Sequence, residues 1–236
     1  MAENIYTPAF IRGLFNHMSA SYERMNYITS FGFSIRWRKQ FLNVLPQTNE
    51  PIRVLDLLTG MGETWNATRR KFPAAEMHAL DFSEGMLHYA QRKNTRKFHQ
   101  QINLIHEDVL ANSLLPDQYD VITCAFGLKT FDEEQLLKLA GEVKRILKPG
   151  GHFTFIEVST PAPSVLRMLY AFYLSKIIPV IGKLFLGDAK DYRMLWTYTS
   201  RFNNSKQAYQ LFKSVGLDTH YKSYFWGCAT GVYGKK

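Results

Sequence analysis

Cysteine is scarce. The 236 residues include only Cys124 and Cys228. That excludes a disulfide framework and a cysteine-rich metal cluster, and fits a reducing compartment. The start, Met1-Ala-Glu-Asn4, lacks a basic segment followed by an apolar one. No secretory signal is expected, and a cytoplasmic location follows. No run of about 18 residues is free of charge, so no spanning helix is expected. His17, His78 and His106 have no partner at metal-ligand spacing and read as structural or surface histidines, so no metal is assigned. Neither a Ser-His-Asp arrangement nor a GxxxxGK(S/T) loop is present. The formal charge is +9, but Lys and Arg are scattered and no nucleic-acid module is visible. Nucleic acid is therefore not expected as a partner, whereas an anionic membrane surface or an acidic substrate stays open.

What the chain does have is a glycine turn in an informative place. Val54-Leu-Asp-Leu-Leu58 is an apolar run broken only by Asp56, and Gly60 and Gly62 follow. This reads as a buried strand, a tight turn and a helix start. Without a Cβ, such a turn lets backbone approach a ligand. About 20 residues on, Met77-His-Ala-Leu-Asp81 is a second apolar run ending in the acid that takes ribose hydroxyls in α/β nucleotide folds. A dinucleotide fingerprint needs a small residue three positions after the second glycine, and Trp65 stands there. Glu63 would repel a pyrophosphate at the helix start. A ligand with a ribose, no phosphate and positive charge of its own fits better, and S-adenosylmethionine has those features. An ordinary βα turn would share the glycines.

The composition, 46% hydrophobic, suits a single domain with a substantial core. Residues Thr7 to Ser21 carry Phe10, Leu14, Phe15 and Met18 at helical spacing, and Ile35 to Leu42 reads as a second helical region. Residues 1–48 therefore form an N-terminal helical cap. From Ile52, strands and helices alternate. Strands are predicted at Arg53–Leu58, Met77–Asp81, Ile102–Glu107, Tyr119–Ala125 and His152–Val158. Helices are predicted at Thr64–Lys71, Ser83–Arg96 and Asp132–Leu147, the last stopped by Lys148-Pro-Gly-Gly151. The alternation implies an α/β fold with a doubly wound, mostly parallel sheet across a core of residues 49–160. A helical lid over 161–205 follows. Residues 206–236 supply a helix and two strands that complete a seven-stranded sheet.

Ligands in such sheets sit at the carboxyl ends of the strands. That rule gathers Thr59–Gly62, Asp81, Asp108 and Ala125–Leu128. Asp108 can accept from an adenine amino group or cap the next turn. Val109 offers an apolar wall, and Phe82 and Met86 can line the ribose and adenine side.

These residues carry a resemblance. Val54–Gly62, Asp81-Phe-Ser83, Tyr119-Asp-Val-Ile with Phe126-Gly-Leu128, and Leu147-Lys-Pro-Gly-Gly151 resemble the successive motifs of class I S-adenosylmethionine-dependent methyltransferases, a Rossmann-like fold. Ile156-Glu-Val-Ser-Thr-Pro161, Ile178-Pro-Val-Ile-Gly182, Asp188-Ala-Lys-Asp-Tyr-Arg193 and Gly227-Cys-Ala-Thr-Gly231 resemble the ubiquinone/menaquinone biosynthesis C-methyltransferases. The resemblance implies cofactor contacts at Gly60, Met61, Gly62, Asp81, Asp108, Val109 and Ala125; Asp56, Phe82 and Met86 complete the cofactor-binding set. The chain departs from the family at Thr59 (usually Gly), Met61 (Thr) and Glu63 (Asp). It also has Lys129-Thr130 where Arg-Asn is usual and Phe202-Asn203 where His-Pro is common. An Arg-to-Lys exchange replaces a flat fork with a point charge, so the acceptor side is where the chain differs most.

The segment Val165–Leu186 is apolar but carries Arg167, Lys176, Lys183 and Pro179, which disqualify it as a spanning helix. It suits a lid that leans on a membrane, packs on a second subunit in a homodimer, or packs on its own domain. Methyl transfer to a ring carbon beside a hydroxyl needs a base, or a cation that steadies the phenolate. Candidates are Lys129 first, then Tyr22, Glu157, Tyr192 and Arg201. The leading expectation is C-methylation of a hydrophobic quinone precursor. A specialised-metabolite C-, O- or N-methyltransferase is second, and a non-catalytic scaffold of the same fold is third.

Overall fold

The computed structural model describes residues 4–19, 27, 29–185 and 189–236. Tyr22 lies outside them, as does the side chain of Tyr192. The strands are β1 (Arg53–Leu57), β2 (Glu76–Asp81), β3 (Ile102–His106), β4 (Tyr119–Ala125), β5 (Leu147–Val158), β6 (Asp218–Tyr224) and β7 (Ala229–Lys235). They form one seven-stranded sheet in the order β3-β2-β1-β4-β5-β7-β6. Neighbours from β3 to β5 pair parallel, while β7 is antiparallel to β5 and β6. The short Phe225–Gly227 turn between β6 and β7 leaves no room for a crossover, so that pair has to be antiparallel.

Among the described residues the helices are α1 (Pro8–Met18), α2 (Phe33–Gln40), α3 (Trp65–Lys71), α4 (Glu84–Phe98), α5 (Glu133–Ile146), α6 (Ser164–Phe172), α7 (Ile178–Phe185), α8 (Ala189–Phe202) and α9 (Lys206–Ser214). On one sheet face, Leu136, Leu139 and Val143 of α5 and Phe212 of α9 pack with Leu55, Ile122, Phe153 and Phe155. On the other, Trp65 of α3 and Phe72 just after it, Ala90 and Phe98 of α4, and Trp37 of α2 pack with Val54, Met77 and Val121. Residues alternate along each strand, so one strand feeds both cores. The caps follow local chemistry: Ser83 Oγ accepts from Met86 N–H at 3.2 Å, and Asp132 with Gln135 forms a capping box on α5.

Two boundaries differ from expectation. The stop at Lys148-Pro-Gly-Gly151 ends α5, but β5 begins at once with Leu147, opposite Tyr119; pairing resumes with His152 opposite Val121. The intervening residues loop out beside Asp120, whose carboxylate takes Lys148 Nζ at 2.8 Å. Pro179 does not break the apolar segment either. A π-helical turn, Tyr173–Ile177, joins α6 to α7 and shifts the hydrogen-bond register just before the ring that lacks an N–H. Among the described residues, Ser164–Ile181 is long and apolar enough to cross a membrane by length and composition, against the expectation of no such helix; only 17% of it is buried.

The strand order reverses between β1 and β4, and that gap fixes where a crevice opens. Leu58 (φ 54°) and Phe126 (φ 70°) follow these two strands in the left-handed region. Such a conformation costs a non-glycine residue on the order of 1–2 kcal/mol. The packing that holds both residues there is the packing that shapes the crevice.

Candidate active site

The cleft above β1, β2 and β4 has a volume of about 880 Å³, counted with its open mouth. Its base is the glycine turn. Asp56, 1% exposed, accepts from Thr59 Oγ1 (2.7 Å), Thr64 Oγ1 (2.5 Å) and Thr123 Oγ1 (2.9 Å). Trp65 Nε1 donates to Thr59 Oγ1 at 2.9 Å. The tryptophan that excluded a dinucleotide fingerprint thus props the turn from beneath. A Cβ at Gly62 (φ 74°) would overlap its ring. Burial pushes the Asp56 carboxyl above its ordinary range, against the pull of the three hydroxyls.

Asp81 ends β2 and faces the cleft. Its Oδ2 accepts from Gly60 N–H at 2.8 Å and its Oδ1 from Ser83 N–H at 2.9 Å. Burial pushes its pKa up to about 6, with the Glu63 charge adding to the push. Beyond it, Phe82, Met86, Asp108 and Val109 line the wall. Asp108 lines the cleft, and its Oδ1 caps the following turn through Leu110 N–H at 2.9 Å. Ala125 lines the floor.

The N-terminal segment roofs this cleft. Tyr6, Ile11 and Phe15 line it. Asn16 Oδ1 accepts from Ser83 Oγ (2.6 Å) and Gly85 N–H (3.0 Å), and Gln135 Nε2 reaches Tyr6 O at 3.0 Å. Sequence spacing marked Phe15 as part of a helical stripe but could not say which surface the stripe covers.

A second cavity of about 1130 Å³ lies beyond Phe126, whose ring lines both. Trp37, Leu166, Tyr170, Leu174, Ile178 and Cys228 contribute apolar wall, and Lys129 is its charged member. Lys129 Nζ donates to Glu157 Oε1 (2.8 Å) and Phe126 O (2.9 Å); Lys129 N–H donates to Glu157 Oε2 (3.1 Å). Glu157 is fully buried and Lys129 nearly so. Burial pushes the Tyr170 phenol well above its ordinary value and the Cys228 thiol up to about 11, so both stay protonated at neutral pH.

Thus Gly60, Asp81, Phe82, Met86, Asp108, Val109 and Ala125 share one cleft, and Lys129 lines the other with Glu157 buried behind it. Asp56 is reached by the cleft but is saturated by threonines. Met61 turns its side chain to an outer groove, and its N–H bonds Glu63 Oε2 at 3.1 Å. Arg201 is exposed and lies over the Tyr6 ring, 6.0 Å from its centre, outside both cavities. Sequence reasoning passed over Arg38 and Gln135 as cleft residues, whereas Phe126 was among those gathered at the strand ends. Arg38 is 7% exposed, while Arg36 and Lys39 on the same helix are exposed.

Residues 4–236 match the ubiE/COQ5 methyltransferase family. The chain is 30% identical to the demethylmenaquinone methyltransferase of Lactiplantibacillus plantarum, over 96% of this chain and 95% of that protein. It is 28% identical to that of Staphylococcus aureus, over 100% of this chain and 97% of that protein. A SAM-dependent methyltransferase from Aquifex aeolicus has a similar fold, with a TM-score of 0.57 at 16% identity over 84% of this chain and 88% of that one. The cleft fits S-adenosylmethionine on its own chemistry: a buried carboxylate for a ribose, apolar walls for an adenine, a carboxylate at the turn for a cation, and no lysine for phosphates. With the match running from residue 4 to the last residue, the chain belongs to the ubiE/COQ5 methyltransferase family and is an enzyme dependent on S-adenosylmethionine.

Proposed function

We propose that the enzyme methylates a ring carbon of a hydrophobic quinol precursor, as the names of its relatives suggest for those proteins. The observation that carries this reading is the apolar second cavity, which shares Phe126 with the cofactor cleft and has Lys129 in its wall. Asp81, Asp108, Val109, Phe82 and Met86 are the residues that would hold the adenosine. When bound, S-adenosylmethionine supplies an electrophilic methyl group.

The chain's own work is then to position the acceptor and to make its ring electron-rich. Lys129 spends two of its three N–H groups on Glu157 and Phe126 O; the third is left for an acceptor oxygen. A phenolate held there is steadied by a fixed cation in a dry cavity, where such a charge acts strongly. Glu157 holds Lys129 in place through its Nζ and its backbone N–H. The Tyr170 hydroxyl, which has no hydrogen-bond partner among the described residues, is a second donor to the acceptor. The apolar walls exclude water.

We also read the enzyme as a cytoplasmic protein that touches the bilayer. Phe31, Leu169 and Phe225 line the second cavity and are also 78%, 57% and 49% exposed, so they mark its mouth. Phe172 and Trp226 extend this apolar rim at 58% and 71% exposure. Residues 24–49, 158–187 and 219–236, which supply the rim, contain no Asp or Glu but include Arg36, Lys39, Arg167, Lys176 and Lys222. An apolar rim in an acid-free setting suits an anionic membrane interface.

The test is transfer of a carbon-13 methyl from labelled cofactor to reduced, demethylated naphthoquinols and benzoquinols, with the product read by NMR. Label on a ring carbon supports the proposal. Label on oxygen or nitrogen would replace it with the specialised-metabolite reading. No transfer to any quinol or phenol, with cofactor bound, would leave a fold without turnover on this class.

A further inference from the structure

The cofactor cleft and the second cavity meet at one place. Among the described residues, Phe126 alone lines both. A methyl group that leaves the first to reach an acceptor in the second has to pass at this side chain. Transfer needs the reacting atoms in line and about 3–3.5 Å apart, so whatever stands at the border decides which acceptor atom arrives there.

Phe126 is held firmly at that border. It is buried, and its φ of 70° belongs to the left-handed region, which a non-glycine residue keeps only where its surroundings impose it. Its N–H donates to Ile156 O at 2.8 Å, and its carbonyl accepts from Lys129 Nζ at 2.9 Å. The next residue leaves no slack, since a Cβ at Gly127 would overlap the Leu58 side chain. The ring is braced on one face by the Arg38 guanidinium, 4.7 Å from its centre.

The bond from Lys129 ties the border to the acceptor's cation. Lys129 lines the second cavity and not the cofactor cleft. An acceptor oxygen held by its third N–H therefore lies on the far side of the Phe126 ring from the cofactor. In a phenolate the oxygen carries most of the charge, so nothing in the acceptor's own chemistry spares it from methylation. Geometry has to do so.

We infer that Phe126 is a positioning residue that selects carbon over oxygen: its ring screens the oxygen bound to Lys129 and leaves the neighbouring ring carbon as the atom that reaches the methyl. The inference rests on the reading of the second cavity as the acceptor site. Both outcomes use the same two reactants. At carbon, a C–C bond forms as the C–S bond of the sulfonium breaks, sulfur keeps the electron pair, and the ring carbon then gives its proton to water. At oxygen, a phenolate lone pair forms the new bond and no further proton leaves.

The test gives carbon-13 methyl-labelled cofactor and a reduced, demethylated naphthoquinol to the wild type, Phe126→Leu and Phe126→Ala. Ring-carbon and oxygen products are counted by NMR, and S-adenosylhomocysteine affinity is measured by calorimetry. The wild type should give the carbon product. Phe126→Ala should raise the oxygen-to-carbon ratio about 10- to 100-fold, with Phe126→Leu between, because closing a pocket against one small group is worth about that much. S-adenosylhomocysteine affinity should stay within about threefold, which also shows a folded cofactor cleft. The ratio compares products of the same folded molecules, so a loss of stability does not move it. An unchanged ratio in both variants, with the two products falling alike, would overturn the inference and leave Phe126 a plain wall residue. A loss of S-adenosylhomocysteine affinity at unchanged ratio would also overturn it and make Phe126 a support of the cofactor cleft. A wild type that labels oxygen, or labels no quinol at all, would overturn the acceptor reading itself, and this inference with it.

Discussion

The two cavities on either side of Phe126 are built by opposite means. The cofactor cleft is made of strand ends and turns. Its polar groups are fixed by many short bonds: three threonines on Asp56, two backbone N–H groups on Asp81. The acceptor cavity is made of helices and loop aromatics. Its walls are largely apolar, and Lys129, its charged member among the described residues, is held by Glu157 on the neighbouring strand β5. A sheet can hold a dipole-rich site rigidly, because every strand end is anchored by its neighbours. Helices that cover a sheet edge can present variable shape and open faces to the outside. The first kind of site suits a cofactor held at many points, and the second suits a bulky apolar acceptor.

Removing the charge from the acceptor side should separate the two cavities most sharply. Lys129→Met is expected to lower turnover on the order of 100- to 1000-fold and to leave S-adenosylhomocysteine affinity within about twofold. It also strands Glu157 in the core, at about 3–5 kcal/mol of stability. The Lys129→Met/Glu157→Gln double variant should regain most of that stability in thermal unfolding without regaining turnover. Full activity in the double variant would show that the pair is merely structural.

The cofactor side should answer to pH. Asp81 has a folded pKa of about 6 against an ordinary value of 3.8. Ribose hydroxyls bind its ionised form, so binding below that pKa must expel a proton. Affinity for S-adenosylhomocysteine should fall about tenfold per pH unit below pH about 6 and level off above about 7, with proton release visible as buffer-dependent heat. The stability sign is the reverse. A raised carboxyl favours the folded state at low pH, and that contribution declines as pH rises from about 4 to 6. Asp81→Asn should flatten the affinity profile at its low-pH level. A profile unchanged in that variant would move the titration to another group.

The smallest effect sharpens the contrast at the rim. Phe172→Glu with Trp226→Glu should reduce sedimentation with vesicles containing anionic lipid by several-fold, and leave cofactor affinity and melting temperature nearly unchanged, since both side chains are already exposed. Binding equal to wild type would remove the bilayer from the account. Concentration-dependent dimerisation lost in the same variant would assign the face to a second copy of the chain.

Much of the cofactor side was legible in the chain itself. Periodicity located β1 to β4 within a residue or two at each end, because buried parallel strands need continuous apolar runs and the turns between them need glycine or acid caps. Asp81 and Asp108 were legible because spacing along a βαβ unit fixes which residues end strands. The acceptor side was legible only in part: Lys129 and Glu157 stood out as candidates, but the cavity around Lys129 did not. Phe126 lies in a glycine-like conformation that its residue type does not advertise. Arg38 is buried although Arg36 and Lys39 beside it on the helix are exposed. The bend at Pro179 was absorbed by a π-turn that no local pattern signals.

Sequence by itself determined the order of strands and helices, the glycine turn, the acids at the strand ends and the basic, acid-free stretches. These are properties of short segments, set by side-chain period, backbone freedom and charge. Tertiary structure alone decided that α1 roofs the cofactor cleft, that Lys129 meets Glu157 28 residues away, and that Arg38 meets Glu63 across 25 residues. Those meetings depend on how helices settle on a twisted sheet, and that is decided by packing of the whole core.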